Sequence, residues 1–205
     1  MARQLLLATR NRKKLEELRR ILAPSLDVEV LGLDDVPPYD EVPETGVTFA
    51  ANALLKAREG ARHTGLVTVA DDSGIAVDAL NGMPGVLSAR WCGRHGDDAA
   101  NRELVLAQLS DVPDERLGAQ FVCAAALVVP GGDESVREGL MTGRLVRIPR
   151  GGNGFGYDPI FVADDAPAGP PRTNGELEPA EKDAISHRSR ALRELLPLIV
   201  AALSR

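Results

Sequence analysis

Aromatic side chains are scarce. One Trp, two Tyr and four Phe in 205 residues oblige the core to be built from Leu, Val, Ile and Ala, and make the place of each ring informative. Cysteine is almost absent. Cys92 and Cys123 form neither a C-x-x-C pair nor a zinc spacing. That excludes a thiol redox motif and reads as two neutral thiols in a reducing compartment. Cations are outnumbered: 24 Lys and Arg face 30 Asp and Glu, a net charge of -6. An acidic chain repels phosphate backbones, so nucleic acid is not expected as a partner. A small anionic ligand stays open if cations cluster locally. Long apolar runs are missing too. Leu5-Leu6-Leu7-Ala8 is too short for a signal-peptide core, and no stretch reaches the ~18 apolar residues of a membrane span. No membrane partner is expected, and the cytoplasm is the expected location. G-x-x-x-x-G-K-[ST] and G-x-G-x-x-G are both absent, which excludes a P-loop and a dinucleotide-binding turn. The Gly151–Gly156 run has a different spacing and leads into Asp158-Pro159 rather than a helix.

What is present is an ordinary globular mixture, 44% hydrophobic and 26% charged, of a length that suits a single domain over residues 1–205. Gln4–Ala8 reads as a buried strand. A helix follows Thr9-Arg10-Asn11, with Leu15, Leu18 and Leu22 on one face, Glu16, Glu17, Arg19 and Arg20 largely on the other, and Pro24 as its stop. Val28–Leu31 is a second strand, and the acidic stretch Asp34–Glu44 a loop. Thr48 can cap a helix running to Ala61, with His63-Thr64-Gly65 beyond its end. Leu66–Ala70 is a strand that meets a turn at Ser73-Gly74, and Ile75–Leu80 alternates again. Asp98–Leu109 is helical. Ala119–Val129 and Leu140–Ile148 are strands, the second broken by Gly143, and Gly131-Gly132 suits an antiparallel connection. Ile160–Val162 is a short strand and Asp164–Glu178 a surface loop. The last helix starts near Ser186, and its stripe of Leu192, Leu195, Leu196, Ile199, Val200 and Leu203 has helical period. Without strict alternation of strand and helix, the pattern is that of an α/β protein with a mixed sheet and flanking helices.

Four groups of residues break local rules in ways that point to a ligand. Arg10, Arg12, Lys13 and Lys14 crowd the start of the first helix, where the helix dipole favours anions instead. A bound anion would restore the balance, and a phosphate chain suits the exposed N–H groups, Asn11 and the lysines. Asp71 and Asp72 stand together at the expected strand end; a divalent cation would relieve their repulsion. Magnesium takes such hard oxygen ligands, with Glu44 as the candidate second carboxylate. The glycine loop before Phe155, Gly156, Tyr157 and Asp158 lets backbone approach a ligand, and an exposed ring there can stack on a base. Ser186-His187-Arg188 repeats the anomaly of cations in a first helical turn.

Taken in order, TRNRKK, ETGVTFAANALLKAR, ADDSGIAVDALNGMPGVLSAR, GGNGFGYDPIF and EKDAISHRSRAL closely resemble the inosine triphosphate pyrophosphatase family, from about Leu5 to Leu196. The resemblance implies a mixed α/β fold of two lobes around a nucleotide-binding cleft, a homodimer, magnesium, and hydrolysis of dITP, ITP and XTP to monophosphate and pyrophosphate. It also implies roles. Thr9 to Lys14 corresponds to the triphosphate turn and Lys56 to a phosphate contact. Asp72 corresponds to the metal-binding proton acceptor, aided by Asp71, with Glu44 as metal partner and Ser73 beside the substrate. Phe155 to Asp158, Lys182, His187 and Arg188 correspond to the nucleoside pocket. Arg10 departs from the pattern, since many members carry a small or neutral residue there. A Maf-type pyrophosphatase shares the phosphate logic but favours other bases. A non-catalytic nucleotide sensor would bind without needing the Asp71-Asp72 pair.

Overall fold

The structure is a computed structural model. It describes residues 3–40 and 42–204, so that Met1, Ala2, Arg205 and Glu41 of the acidic loop lie outside the described residues. Six strands, β1 (Gln4–Leu7), β2 (Glu29–Leu31), β3 (Thr68–Val77), β4 (Gly118–Val128), β5 (Glu134–Leu145) and β6 (Phe161–Ala163), hydrogen-bond in the order β2-β1-β3-β4-β5-β6. The sheet is mixed. β1 pairs in parallel with β2 and with β3, whereas β5 and β6 are antiparallel. Val129 N–H donates to the Asp133 carbonyl at 3.0 Å and Leu145 N–H to the Leu117 carbonyl at 2.8 Å. Both bonds fit one antiparallel register of β4 and β5, as the Gly131-Gly132 connection suggests. The helices are α1 (Arg12–Leu22), α2 (Phe49–Thr64), α3 (Asp98–Gln108), α4 (Pro179–Ile185) and α5 (His187–Leu203). Among the described residues no helix is long and apolar enough to cross a membrane.

The chain forms two compact units. The first comprises Met1–Asp72, Cys123–Gly139 and Arg188–Arg205, the second Ser73–Val122 and Leu140–His187. In the first unit, Leu5, Leu7, Val69, Cys123, Ala125 and Leu127 pack with Leu18 and Leu22 of α1 and Leu192, Leu195 and Ile199 of α5. Their sequence neighbours Leu6, Ala8, Ala70, Ala124, Ala126 and Val128 pack with Ala53, Ala57 and Ala61 of α2. Helices on both faces explain why β1 reads as an unbroken apolar run rather than an alternating one. The second unit has its own core of Ile75, Val77, Val105, Leu109, Phe121, Met141, Leu145 and Phe161. Phe121 and Phe161 meet edge to face there, centroids 4.8 Å apart.

Several boundaries differ from those read in the sequence, each for a physical reason. β3 runs on through Ser73-Gly74 without a turn, because its carboxylates are answered by partners on the flanking helices and do not need solvent. α2 continues one turn past Ala61 to Thr64, where Gly65 closes it at φ +69°; the left-handed cap suits glycine. β5 starts at Glu134, earlier than expected, and passes through Gly143. α4 occupies a segment with no strong apolar period, started by Pro179 in the first turn. Glu17 is buried rather than solvated.

Gly143 lies opposite Ala163 of β6. A Cβ there would stand 2.7 Å from the Phe161 ring and collide with the Val162 carbonyl oxygen. Gly143→Ala must push β6 off β5, and is expected to destabilise the protein by about 1–3 kcal/mol. A urea midpoint equal to that of the parent would refute this account of the pairing.

Candidate functional site

Successive residues of a strand point to opposite faces, so Asp71 and Asp72 do not share an environment. Asp71 follows the face of Val69 and meets α1 and α5. Its Oδ2 accepts from Lys14 Nζ at 2.8 Å and from Arg188 Nε at 3.2 Å. Arg188 also donates through Nη1 to Glu17 at 3.2 Å, and Ser189 Oγ donates to the same carboxylate at 3.3 Å. Arg188 is 4% exposed. Burial disfavours a charge on Asp71, yet Lys14, Arg188 and Lys56 outweigh it and hold the carboxyl far below its ordinary range. The same balance acts on Arg188: burial opposes its charge, and Asp71 and Glu17 restore it and raise its pKa.

Asp72 follows the face of Ala70 and meets α2. Asn52 Nδ2 donates to it at 3.0 Å, and Lys56 Nζ lies 3.5 Å from its Oδ1. Lys56 donates at 2.9 Å to Glu44 as well. Here burial prevails over Lys56 and Asn52, and the nearby Glu44 adds to it, so the pKa of Asp72 is raised. Two neighbouring aspartates are thus driven in opposite directions, one fixed as an anion and one made more basic. Burial lowers the pKa of Lys56, but Asp72, Asp71 and Glu44 more than compensate and raise it.

The loop bearing Glu44 is tied to this cluster by Asn52, whose Oδ1 accepts from Gly46 N–H at 2.7 Å. A Cβ on Gly46 would stand 2.6 Å from that oxygen, so the close approach calls for glycine. Glu17 and Asn52 were not singled out by sequence reasoning. The available signal was a polar residue inside a buried helical stripe, as Asn52 is beside Ala53 and Ala57.

Of the first cation cluster, Lys14 reaches a carboxylate of β3, that of Asp71. Asn11 caps α1, accepting from Lys13 N–H and Lys14 N–H at 3.0 and 3.4 Å, and Thr9 Oγ1 accepts from Asn11 N–H at 3.1 Å. Arg10 pairs at the surface with Asp34 at 2.7 Å. Arg12 and Lys13 are exposed at the helix start.

The second unit gathers Phe155, Gly156, Tyr157, Asp158 and Lys182. Asp158 is buried; its Oδ2 accepts from Phe155 N–H at 2.8 Å and from Lys182 Nζ, and its Oδ1 accepts from Asn174 Nδ2 at 3.3 Å. Lys182 Nζ stands 5.1 Å from the centre of the half-buried Phe155 ring. Tyr157 is buried, not exposed, and its hydroxyl donates to the Ser88 carbonyl at 2.9 Å. That leaves Phe155 as the ring able to stack on a ligand. His187 is buried against Phe121, with centroids 4.9 Å apart and planes nearly parallel. Ser73, half-buried, is the first residue of this unit. Arg188 belongs to the first unit, with Asp71 and Glu17.

Among the described residues there is no group of three or more His, Cys, Asp or Glu side chains placed to hold a metal. Glu44 and Asp72 nevertheless converge on one ammonium group, that of Lys56. They are close enough for Glu44 to raise the pKa of Asp72. Two hard carboxylates directed at a single cation are a donor set that fits magnesium, which commonly takes one or two carboxylates and completes its shell with phosphate oxygens and water.

These features define a mixed-sheet α/β protein whose central strand carries two buried carboxylates answered from opposite faces. The chain belongs to the Ham1 family, whose sequence model matches residues 5–198. It is 65% identical to a dITP/XTP pyrophosphatase of Mycobacteroides abscessus over 96% of this chain and 94% of that one. A second dITP/XTP pyrophosphatase, from Nocardia farcinica, is also 65% identical, over 100% of this chain and 98% of that one. Two solved structures resemble it. One, described as a nucleoside-triphosphatase / dITP/XTP pyrophosphatase from Mycobacterium abscessus, has TM-score 0.76 and 65% identity, covering 95% of this chain and 99% of its own. The other, a Staphylococcus aureus Ham1 protein, has TM-score 0.85 and 35% identity, covering 97% and 99%.

Asp71 gives the clearest test of the buried pairs. Asp71→Asn leaves Lys14 and Arg188 without their shared anion and should cost about 3 kcal/mol at neutral pH. Because its folded pKa is lowered, Asp71 contributes stability above the unfolded value of 3.8 and loses it as pH falls toward the folded one. The gap between parent and variant in urea unfolding should therefore narrow on acidification below about pH 4. A gap that is absent, or that widens in acid, contradicts the pairing.

Proposed function

We propose that the protein hydrolyses non-canonical purine nucleoside triphosphates, of the dITP, ITP and XTP class, to the monophosphate and pyrophosphate. The observation that carries this reading is Asp72, a carboxylate of raised pKa set beside Lys56 and Glu44. A carboxylate made more basic by burial suits a general base, whereas binding alone requires none. The names borne by relatives about two-thirds identical support the substrate class.

In this reading Asp72 takes the proton from a water that attacks the α-phosphorus, and pyrophosphate leaves. Asp71 stays ionised throughout and holds Lys14 and Arg188 in place. Lys14 and Lys56 answer the charge that develops on the leaving group, and Thr9 to Lys13 present backbone N–H groups and cations to the triphosphate. Magnesium, held by Glu44 and Asp72, supplies charge neutralisation and Lewis acidity when bound. Phe155 offers the ring that stacks on the base, with Lys182 and His187 belonging to the same nucleoside set and Ser73 adjoining the substrate. Recognition of the 6-oxo oxygen falls to backbone donors of this loop, foremost the Tyr157 N–H, because the N–H groups of Phe155, Gly156 and Asp158 are already engaged by Asp158, Asp98 and Phe155. An adenine amino group would leave such donors unpaired, which disfavours ATP.

The decisive assay compares pyrophosphate and orthophosphate release from ITP, XTP, dITP, ATP, GTP and dTTP, with and without magnesium. Pyrophosphate from ITP, dITP and XTP, in magnesium only, is the expected outcome. Orthophosphate would move the cleaved bond, and binding without turnover would mark a sensor. In the same assay Asp72→Asn should lose about 10²–10⁴ in kcat while still binding nucleotide. Its melting temperature should not fall, because the buried charge it removes is one that burial disfavours. The family resemblance further supports a homodimer acting in the cytoplasm; light scattering should return twice the chain mass of 21.8 kDa.

A further inference from the structure

Asp98 and Arg102 lie one helical turn apart on α3, a spacing that suits a direct ion pair. They do not pair with each other among the described residues. Both reach instead to Gly156, far along the chain. Asp98 Oδ2 accepts from Gly156 N–H at 2.7 Å, and Arg102 Nη1 donates to the Gly156 carbonyl at 2.7 Å. Asp98 is not needed as a helix cap, since Asp97 caps α3 by accepting from Ala100 N–H at 3.1 Å. Gly156 sits at φ +59° with open space where a Cβ would be. Its conformation is therefore not imposed by crowding, and a glycine left to itself has many states to choose from.

From this geometry we infer that Asp98 and Arg102 are positioning residues for base recognition, acting by fixing both peptide planes of Gly156. The planes carry more than Gly156 itself. In a trans peptide the C=O and N–H point in opposite directions. Arg102, by holding the Gly156 carbonyl, sets the direction of the Tyr157 N–H on the same plane. Asp98, by holding the Gly156 N–H, sets the Phe155 carbonyl, which accepts from Asp158 N–H at 3.2 Å. The backbone that carries the stacking ring and the N–H that would read the base oxygen are thus both held from α3. The inference rests on the pyrophosphatase reading of this loop and adds to it the residues that set its selectivity.

Two measurements test it, and only one depends on turnover. In Asp98→Ala the KM for ITP should rise about tenfold, the loss of one charge-assisted hydrogen bond. The kcat at saturation should stay within about twofold, and the ITP-to-ATP ratio of kcat/KM should fall. Asp98→Asn keeps an oxygen that accepts the Gly156 N–H and should restore both. Arg102→Ala should lower the same ratio and guards against an Asp98→Ala that fails to fold. Separately, amide exchange followed by NMR should show the Gly156 N–H protected in the parent and unprotected in Asp98→Ala. An unchanged substrate ratio in both alanine variants, or an unchanged Gly156 exchange rate, overturns the inference. A parent enzyme that does not turn over ITP refutes the pyrophosphatase reading instead, and the exchange measurement still reports on the clamp.

Discussion

The alternation of side chains along β3 is the constraint from which the rest of the site follows. Two adjacent aspartates in a turn would face the same water and repel each other. In a strand covered on both faces they are separated by the sheet itself. Asp71 falls among the cations of α1 and α5, and Asp72 among the polar residues of α2. Identical side chains one residue apart acquire opposite electrostatic fates: a permanent anion that organises Lys14 and Arg188, and a carboxylate whose ionisation burial resists. A one-residue slip of β3 against β1 would exchange those roles, so the chemistry of the site is tied to strand register.

That arrangement costs stability where it serves chemistry. Burying Glu17, Asp71, Asp72 and Arg188 in a unit otherwise filled with Leu, Val and Ala is tolerable because each charge has a partner at hydrogen-bond distance. Asp72 is the member whose partners do not fully compensate its burial. A locally unfavourable group held by a well-packed surround is the usual mark of a working residue rather than of a structural one.

Most of the fold was legible in the sequence, because β1, α1, α2, α3, β4 and α5 have strong apolar periods or clear caps such as Asn11 and Thr48. What escaped was whatever depended on partners distant in sequence. The passage of β3 through Asp71-Asp72-Ser73-Gly74 could not be read from a segment that looks like a turn until its carboxylates are seen to be answered by Lys14, Arg188, Asn52 and Lys56. α4 escaped because it is short and partly exposed. The candidate residues Lys14, Glu44, Lys56, Asp71 and Asp72 do converge, as do Phe155, Asp158 and Lys182. Arg10 pairs with Asp34 at the surface. Glu17, Asp98 and Arg102 were invisible as participants, since each acts by a long-range hydrogen bond that carries no local signature, and Asn52 showed itself only as a polar residue within a buried helical stripe.

Asn52 has a consequence of its own. One face of its amide holds the backbone of Gly46 and the other holds Asp72. An amide is rigid and planar, so the two ends cannot be adjusted independently. Displacing the loop that carries Glu44 takes the Gly46 N–H away from Asn52, so the amide that donates to Asp72 loses its second anchor as the neighbouring negative charge departs. The stance of the loop and the surroundings of the strand residue are therefore coupled through one side chain.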